Sequence, residues 1–128
     1  MKIYLAGAIE AAPDDGKAWR AEITQFLDSE FSIDVFDPSQ HEQDFLTPEE
    51  KDNFRKWKSV DIKRFRPVIT KIIDRDLEQL LEKCDAVICL WDEHVIHGGG
   101  THGELTLAYE HKMPVYLVLG MPLEKVSS

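Results

Sequence analysis

Several functional classes are excluded by what this sequence lacks. No apolar run approaches the roughly 18 residues that a membrane helix needs. No charged and then apolar leader opens it either, since Lys2 leads straight into a short strand pattern. The expectation is a soluble, cytoplasmic protein that engages no membrane. Cysteine is scarce: Cys84 and Cys89 stand alone, at a spacing that matches no zinc or redox motif, and both read as buried thiols. Positive charge is in deficit, with 15 basic against 24 acidic residues and a net charge of −9, so attraction to nucleic-acid phosphates does not drive function. The basic residues between Arg55 and Arg66 are interrupted by acids and apolar groups, as on a solvated helix face. Repeats, low-complexity segments and linkers are absent.

What is present is a globular composition, 43% hydrophobic and 30% charged, over 128 residues, the size of one domain spanning 1–128. Lys2 to Gly7 is a buried-strand pattern running into a loop with Ala8, Pro13 and Gly16. A helix follows, capped by Asp14 or Asp15, with Trp19, Ile23, Phe26, Leu27 and Phe31 at spacings of three and four. Ser32 to Phe36 forms a second strand. Residues 41–66 read as a helical insert, because Thr47-Pro48-Glu49-Glu50 supplies a cap, a proline at the first helical position and a glutamate at the third. Pro67 starts or restarts a helix lasting to about Lys83. Asp85 to Trp91 is a third strand, a helix runs from about His102 to His111, and Pro114 to Gly120 is the last strand. This order implies an α/β fold: an open parallel sheet of four or five strands, helices on both faces, strand order 2-1-3-4, flavodoxin-like or Rossmann-like. The crevice of such a sheet lies between the Gly7 loop and the loop from Asp92 to Gly100.

Chemistry-bearing residues cluster around that crevice. Asp76 falls between Ile69, Ile73 and Leu80 on the apolar stripe of its helix, whereas Asp74 lies about 100° off the stripe's centre. An inward carboxylate is costly unless paired, so Asp76 is either a site residue or a rim residue bonded to a neighbouring loop. Glu104 has two readings. Thr101-x-x-Glu104 has the spacing of a capping box. Three successive glycines, Gly98 to Gly100, exceed what a cap needs; they let the backbone approach a ligand, and a helix amino end that favours negative charge makes Glu104 an ionised nucleophile. His94, His97 and His102 match no zinc spacing, so no metal and no cofactor are expected. The glycine loop lacks the lysine of a phosphate-binding P-loop. It also faces Glu10, Asp14 and Asp15, which disfavour a phosphate, although Lys17 or Arg20 can reach in.

Three stretches in this order resemble the nucleoside 2-deoxyribosyltransferases and the related nucleotide N-glycoside hydrolases: Ile3-Tyr4-Leu5-Ala6-Gly7, Arg75-Asp76-Leu77 leading into Cys84-Asp85-Ala86-Val87-Ile88, and the glycine loop ending in Gly103-Glu104-Leu105. The resemblance implies an enzyme acting on nucleosides or their monophosphates. In it Glu104 is the nucleophile that attacks the anomeric carbon, Asp76 works near base and sugar, and Tyr4 holds Glu104. Gly7, Ala8, Ile9, Asp92, Gly99, Gly100, Thr101 and His102 are the matching substrate-binding positions. The family places an acid where Gly98 stands here, and Asp92 or Glu93 is the candidate substitute. A homo-oligomer is also implied, with Phe54 or Trp57 of the insert as an apolar contact. The alternatives are a non-catalytic nucleotide-sensing module, in which Glu104 only caps its helix, and a phosphoribohydrolase that releases cytokinin-type bases.

Overall fold

Four parallel strands form the centre of the molecule, in the order β2-β1-β3-β4 expected from the sequence. A computed structural model describes residues 1–40 and 45–126. Strand β1 (Lys2–Ala6) lies between β2 (Asp34–Phe36) and β3 (Ala86–Trp91), with Ile3 opposite both Val35 and Ala86, and β4 (Val115–Leu119) pairs outside β3. Side chains alternate along β1, as a strand's period of two requires. Ile3 and Leu5 pack with Leu27 of α1 (Lys17–Phe31) on one face. Tyr4 and Ala6 pack on the other face with Leu80, Val87, Cys89 and Ala108 of α4 (Gly100–Glu110). Both faces of the sheet are therefore covered by helices at β1 and β3, whereas β4 is exposed along its whole length. Among the described residues no helix is long and apolar enough to cross a membrane.

Helix α2 (Pro48–Val60) begins on the capping box read from the sequence: Thr47 accepts from the Glu50 amide, and Glu50 accepts from the Thr47 amide. It packs on α3 (Ile62–Glu78) through a separate small core of Leu46, Phe54, Trp57 and Val68. Phe54 and Trp57 are thus buried within the chain and unavailable as an oligomer contact. The insert's first four residues, 41–44, lie outside the described residues.

Local expectations differ from the structure at four places. Pro67 sits inside α3, whose start is instead capped by Asp61 accepting from the Arg64 amide. A proline at an interior position costs about 3 kcal/mol, and Phe65, Val68 and Ile72, packed against α2, offset it. Asp14 does satisfy the amides opening α1, at Gly16 and Ala18, but from two residues before the cap position, which is Gly16. Phe26 and Phe31 of the expected α1 stripe are 50% and 61% exposed and pack edge-on against one another. In α3 the core-facing residue is Val68, while Ile73 is 49% exposed. The helix closes in a π turn, Gln79–Lys83, that returns Leu80 and Cys84 to the core beneath the sheet.

Candidate active site

A cavity of about 550 Å³ opens where β1 and β3 end. This is the carboxyl edge of a parallel sheet, where neighbouring strands send their chains to opposite faces and leave a crevice. Gly7, Ala8, Ile9 and Glu10 form one wall, contributed by the β1–α1 loop. The segment from His94 to Thr101 and the side chain of Glu104 form the second. The α2–α3 pair supplies the third, apolar in Phe54, Ile69, Ile72 and Ile73 and charged in Arg55, Lys58, Arg75 and Asp76. The Ile69-Ile73-Asp76 stripe therefore faces the cavity, and the core only at its far end.

Glu104 is not a cap. Helix α4 starts at Gly100 with Gly99 before it, no side chain caps it, and Thr101 is already inside its first turn and buried. One turn further on, the Glu104 side chain is left to line the cavity. Burial of the carboxyl pushes its pKa up to about 7. The Tyr4 hydroxyl and the Arg20 charge pull it down, and the charge of Asp76 pushes it up further. Desolvation thus outweighs Tyr4 and Arg20, and Glu104 ionises less readily than an ordinary carboxyl. Tyr4 lies behind it, fully buried on β1, and its own pKa is raised well above the usual value by burial first and then by Glu104 and Asp76. The Tyr4 hydroxyl has no partner in full hydrogen-bond geometry. It nevertheless couples to Glu104 closely enough that each group shifts the other's titration.

Asp76 is oriented by its neighbour in sequence. Arg75 donates to one Asp76 carboxylate oxygen through Nε at 2.9 Å and through a terminal nitrogen at 2.7 Å, and that nitrogen also reaches the Pro38 carbonyl at 3.1 Å. The guanidinium also lies over the rings of Phe45 and Phe36. The half-buried carboxylate is fixed in this way, and the residue itself lines the cavity.

The glycine loop answers to the cavity rather than to the protein. A Cβ placed on Gly98, Gly99 or Gly100 meets no atom within 4 Å, and Gly98 and Gly99 have ordinary negative φ angles. Side chains there would enter open space at the cavity mouth. Gly16 is glycine for another reason: its φ is +68°, and a side chain there would collide with Arg20 and with the Ala8 carbonyl.

Of the sequence candidates, Gly7, Ala8, Ile9, Asp76, Gly99, Gly100, Thr101 and Glu104 line the cavity, and Tyr4 stands directly behind it. His102 does not line it: its ring packs edge-on against Trp91 and meets the Val95 carbonyl at 3.3 Å. Asp92 is turned into its own loop, accepting from the His94 amide, and Glu93 is 74% exposed beside His94. Neither of them lines the cavity. Lys17 is exposed and does not line the cavity, and Arg20 is buried beneath the first wall. The acidic first loop is largely neutralised, since Glu10 pairs with Lys58 at 2.8 Å and Asp15 with Arg55 at 2.9 Å. That removes the ground for disfavouring a phosphorylated substrate. The contribution of α2 was not legible, because nothing local in Phe54, Arg55 or Lys58 says against which loop the helix lies. Among the described residues no group of three or more His, Cys, Asp or Glu side chains is placed to hold a metal ion.

No protein-family model matches the sequence, and no curated protein matches it. Among solved structures, the chain is similar to the 2-deoxyribosyltransferase of the psychrotolerant bacterium Bacillus psychrosaccharolyticus, a biocatalyst for nucleoside synthesis. The TM-score is 0.62 at 19% identity, with 96% of this chain and 77% of that one covered. The α/β architecture and strand order reached from the sequence are thus those of a known enzyme: this chain has the fold of a 2-deoxyribosyltransferase.

Proposed function

We propose that this protein is an enzyme of the nucleoside 2-deoxyribosyltransferase type, cleaving or exchanging the N-glycosidic bond of (2-deoxy)ribonucleosides or their monophosphates. The observation that carries the reading is Glu104, a carboxyl on the cavity wall, poised near neutral pH and coupled to Tyr4 on one side and Asp76 on the other. A Glu104 oxygen attacks the anomeric carbon, the bond to the base nitrogen breaks, and a glycosyl ester forms. Asp76, or a water that it orients, supplies the proton that the leaving base needs. A second base or water then displaces the ester and regenerates the Glu104 carboxylate. Tyr4 steadies the carboxylate from behind. The apolar faces of Ile69, Ile72 and Ile73 suit a flat base, and the glycines make room for the sugar.

Nothing further than a small molecule is needed as partner, and no cofactor enters these steps. Two free, buried thiols suit a reducing compartment, consistent with a cytoplasmic location. Assembly as a homo-oligomer is supported by β4, whose five residues from Val115 to Leu119 are all 37% to 60% exposed and all apolar or aromatic. Light scattering reads that state.

The activity is tested by incubating the protein with deoxynucleosides, ribonucleosides and their 5′-monophosphates, with and without a free acceptor base. Base release or exchange that disappears in Glu104→Ala is the expected result. Tight nucleotide binding without turnover would move the assignment to a sensing module, and strict dependence on a ribose 5′-monophosphate would favour a phosphoribohydrolase.

A further inference from the structure

Arg20 is the largest side chain with no exposure at all, and its charge is buried under the cavity wall. Its guanidinium donates to four backbone carbonyls of the β1–α1 segment: Leu5 at 3.4 Å, Gly7 at 2.9 Å, Ala8 at 3.2 Å and Gly16 at 2.9 Å. Asp37, at the end of β2, stands 3.7 Å from its Nε as counter-ion and is itself tied to Ser39 through both the amide and the hydroxyl. Burying an ion pair costs more than filling the same volume with a well-packed apolar side chain. A loop that needed only packing would be held more cheaply by leucine or methionine.

What the guanidinium does that an apolar group cannot is set the direction of peptide planes. In a trans peptide the carbonyl and the following amide point opposite ways. With the Gly7 and Ala8 carbonyls turned down to Arg20, the amides of Ala8 and Ile9 are turned away from it, on the side where these residues line the cavity. Among the described residues neither amide donates to any backbone or side-chain acceptor. Two donors are left for a ligand's oxygen atoms.

We propose that Arg20 is a positioning residue of the active site, which orients the Ala8 and Ile9 amides toward the sugar of the substrate and sets its positive charge beneath Glu104. It touches no substrate atom itself. The second half of the role has its own support, because the groups acting on Glu104 are Tyr4, Asp76 and Arg20, and Arg20 favours the ionised form, as the nucleophile requires. Its own charge is disfavoured by burial and restored by Asp37 first and Glu104 next. One buried cation thus serves the geometry of one wall and the ionisation of the other.

This inference rests on the glycosyl-transfer reading for its meaning, but two of its readouts need no turnover. Arg20→Met and Arg20→Lys are compared with the wild type by titrating the Glu104 carboxyl carbon by NMR, by nucleoside affinity in calorimetry, and by KM and kcat. In Arg20→Met the Glu104 titration moves to higher pH by at least about half a unit, and affinity falls at least about tenfold as the two amides lose their aim. Arg20→Lys keeps a charge but not the planar fork; it restores the titration and leaves the affinity defect, with KM rising more than kcat falls. If Arg20→Met does not fold, Arg20→Lys decides the geometric half, and Arg20→Gln, which keeps polar donors without the charge, decides the electrostatic half through the same titration, expected to move to higher pH and overturning that half if it does not move. Folded variants with lowered Tm but wild-type Glu104 titration and wild-type affinity would overturn the proposal and leave Arg20 a purely structural residue. A wild-type protein that binds nucleosides without cleaving them would refute the glycosyl-transfer reading while leaving both binding and titration tests intact. Should it bind none, the titration alone decides.

Discussion

Two walls of the cavity are built by opposite means. On the β1 side the charges lie inside: Arg20 is fully buried and answers four carbonyls and one carboxylate. On the α2–α3 side most ties lie at the surface, through Lys58 to Glu10, Arg55 to Asp15, Arg64 to Glu49 and Lys71 to Glu50, with at least one partner of each pair well exposed, and only Arg75 reaches the Pro38 carbonyl from a half-buried position. Exposed pairs are screened and contribute little. A wall fixed from within keeps its shape whatever the cavity holds. The other is held on its own small core and, Arg75 apart, by exposed pairs.

That contrast is open to attack by substitution. Asp37→Ala leaves the Arg20 charge buried without its counter-ion and is expected to cost about 3 kcal/mol in urea unfolding with an unchanged m value. A small loss would mean that the carbonyls alone hold the guanidinium. Asp76→Asn, on the softer wall, is expected to lower turnover about 100-fold with little change in stability. The loss should shrink for bases that leave readily without a proton.

Glu104→Gln sharpens the comparison through pH. The folded-state pKa of Glu104 is raised to about 7, so the folded protein favours the protonated carboxyl. The stability that this provides is complete below the ordinary carboxyl range and is lost as pH rises through about 7. The glutamine variant does not ionise; it should match the wild type at pH 4 and exceed it at pH 8 by on the order of 1 kcal/mol. The same ionisation predicts that kcat/KM of the wild type climbs on its acid limb through an apparent pKa near 7. The smallest effect belongs to Lys58→Ala with Arg55→Ala, at most about 1 kcal/mol together and erased in 0.5 M salt. A larger loss, or one indifferent to salt, would break the distinction between the walls.

The sheet was legible because β1 and β3 are continuous apolar runs buried on both faces, although the apolar run of β4 is exposed. The site was legible only in part, and the threonine-x-x-glutamate spacing shows why. It occurs at Thr47–Glu50 and again at Thr101–Glu104. At the first, Thr47 is extended and both reciprocal hydrogen bonds form. At the second, the glycines ahead of it carry the helix back to Gly100, so Thr101 becomes a buried helical residue and Glu104 turns to the cavity. Local spacing cannot choose between these outcomes, since the choice depends on where the helix starts. Arg20 illustrates the same limit from the other side. An arginine within a sequence rich in surface charge gives no local sign of burial, and its partners come from Leu5 to Asp37, brought together only by the fold. His102 and Asp92 erred in reverse, being near Glu104 in sequence yet spent on Trp91, Val95 and the His94 amide.

The central claim is that Glu104 bonds covalently to the sugar, and it is tested most directly by trapping that ester. A nucleoside whose sugar carries fluorine at C2′ slows the resolution step by destabilising its cation-like transition state. After incubation and acid quench, intact mass and peptide mapping should find one glycosyl group on the peptide containing Glu104, and none in Glu104→Ala. Base release that continues in Glu104→Ala, or a glycosyl group carried by a different residue, would contradict the account.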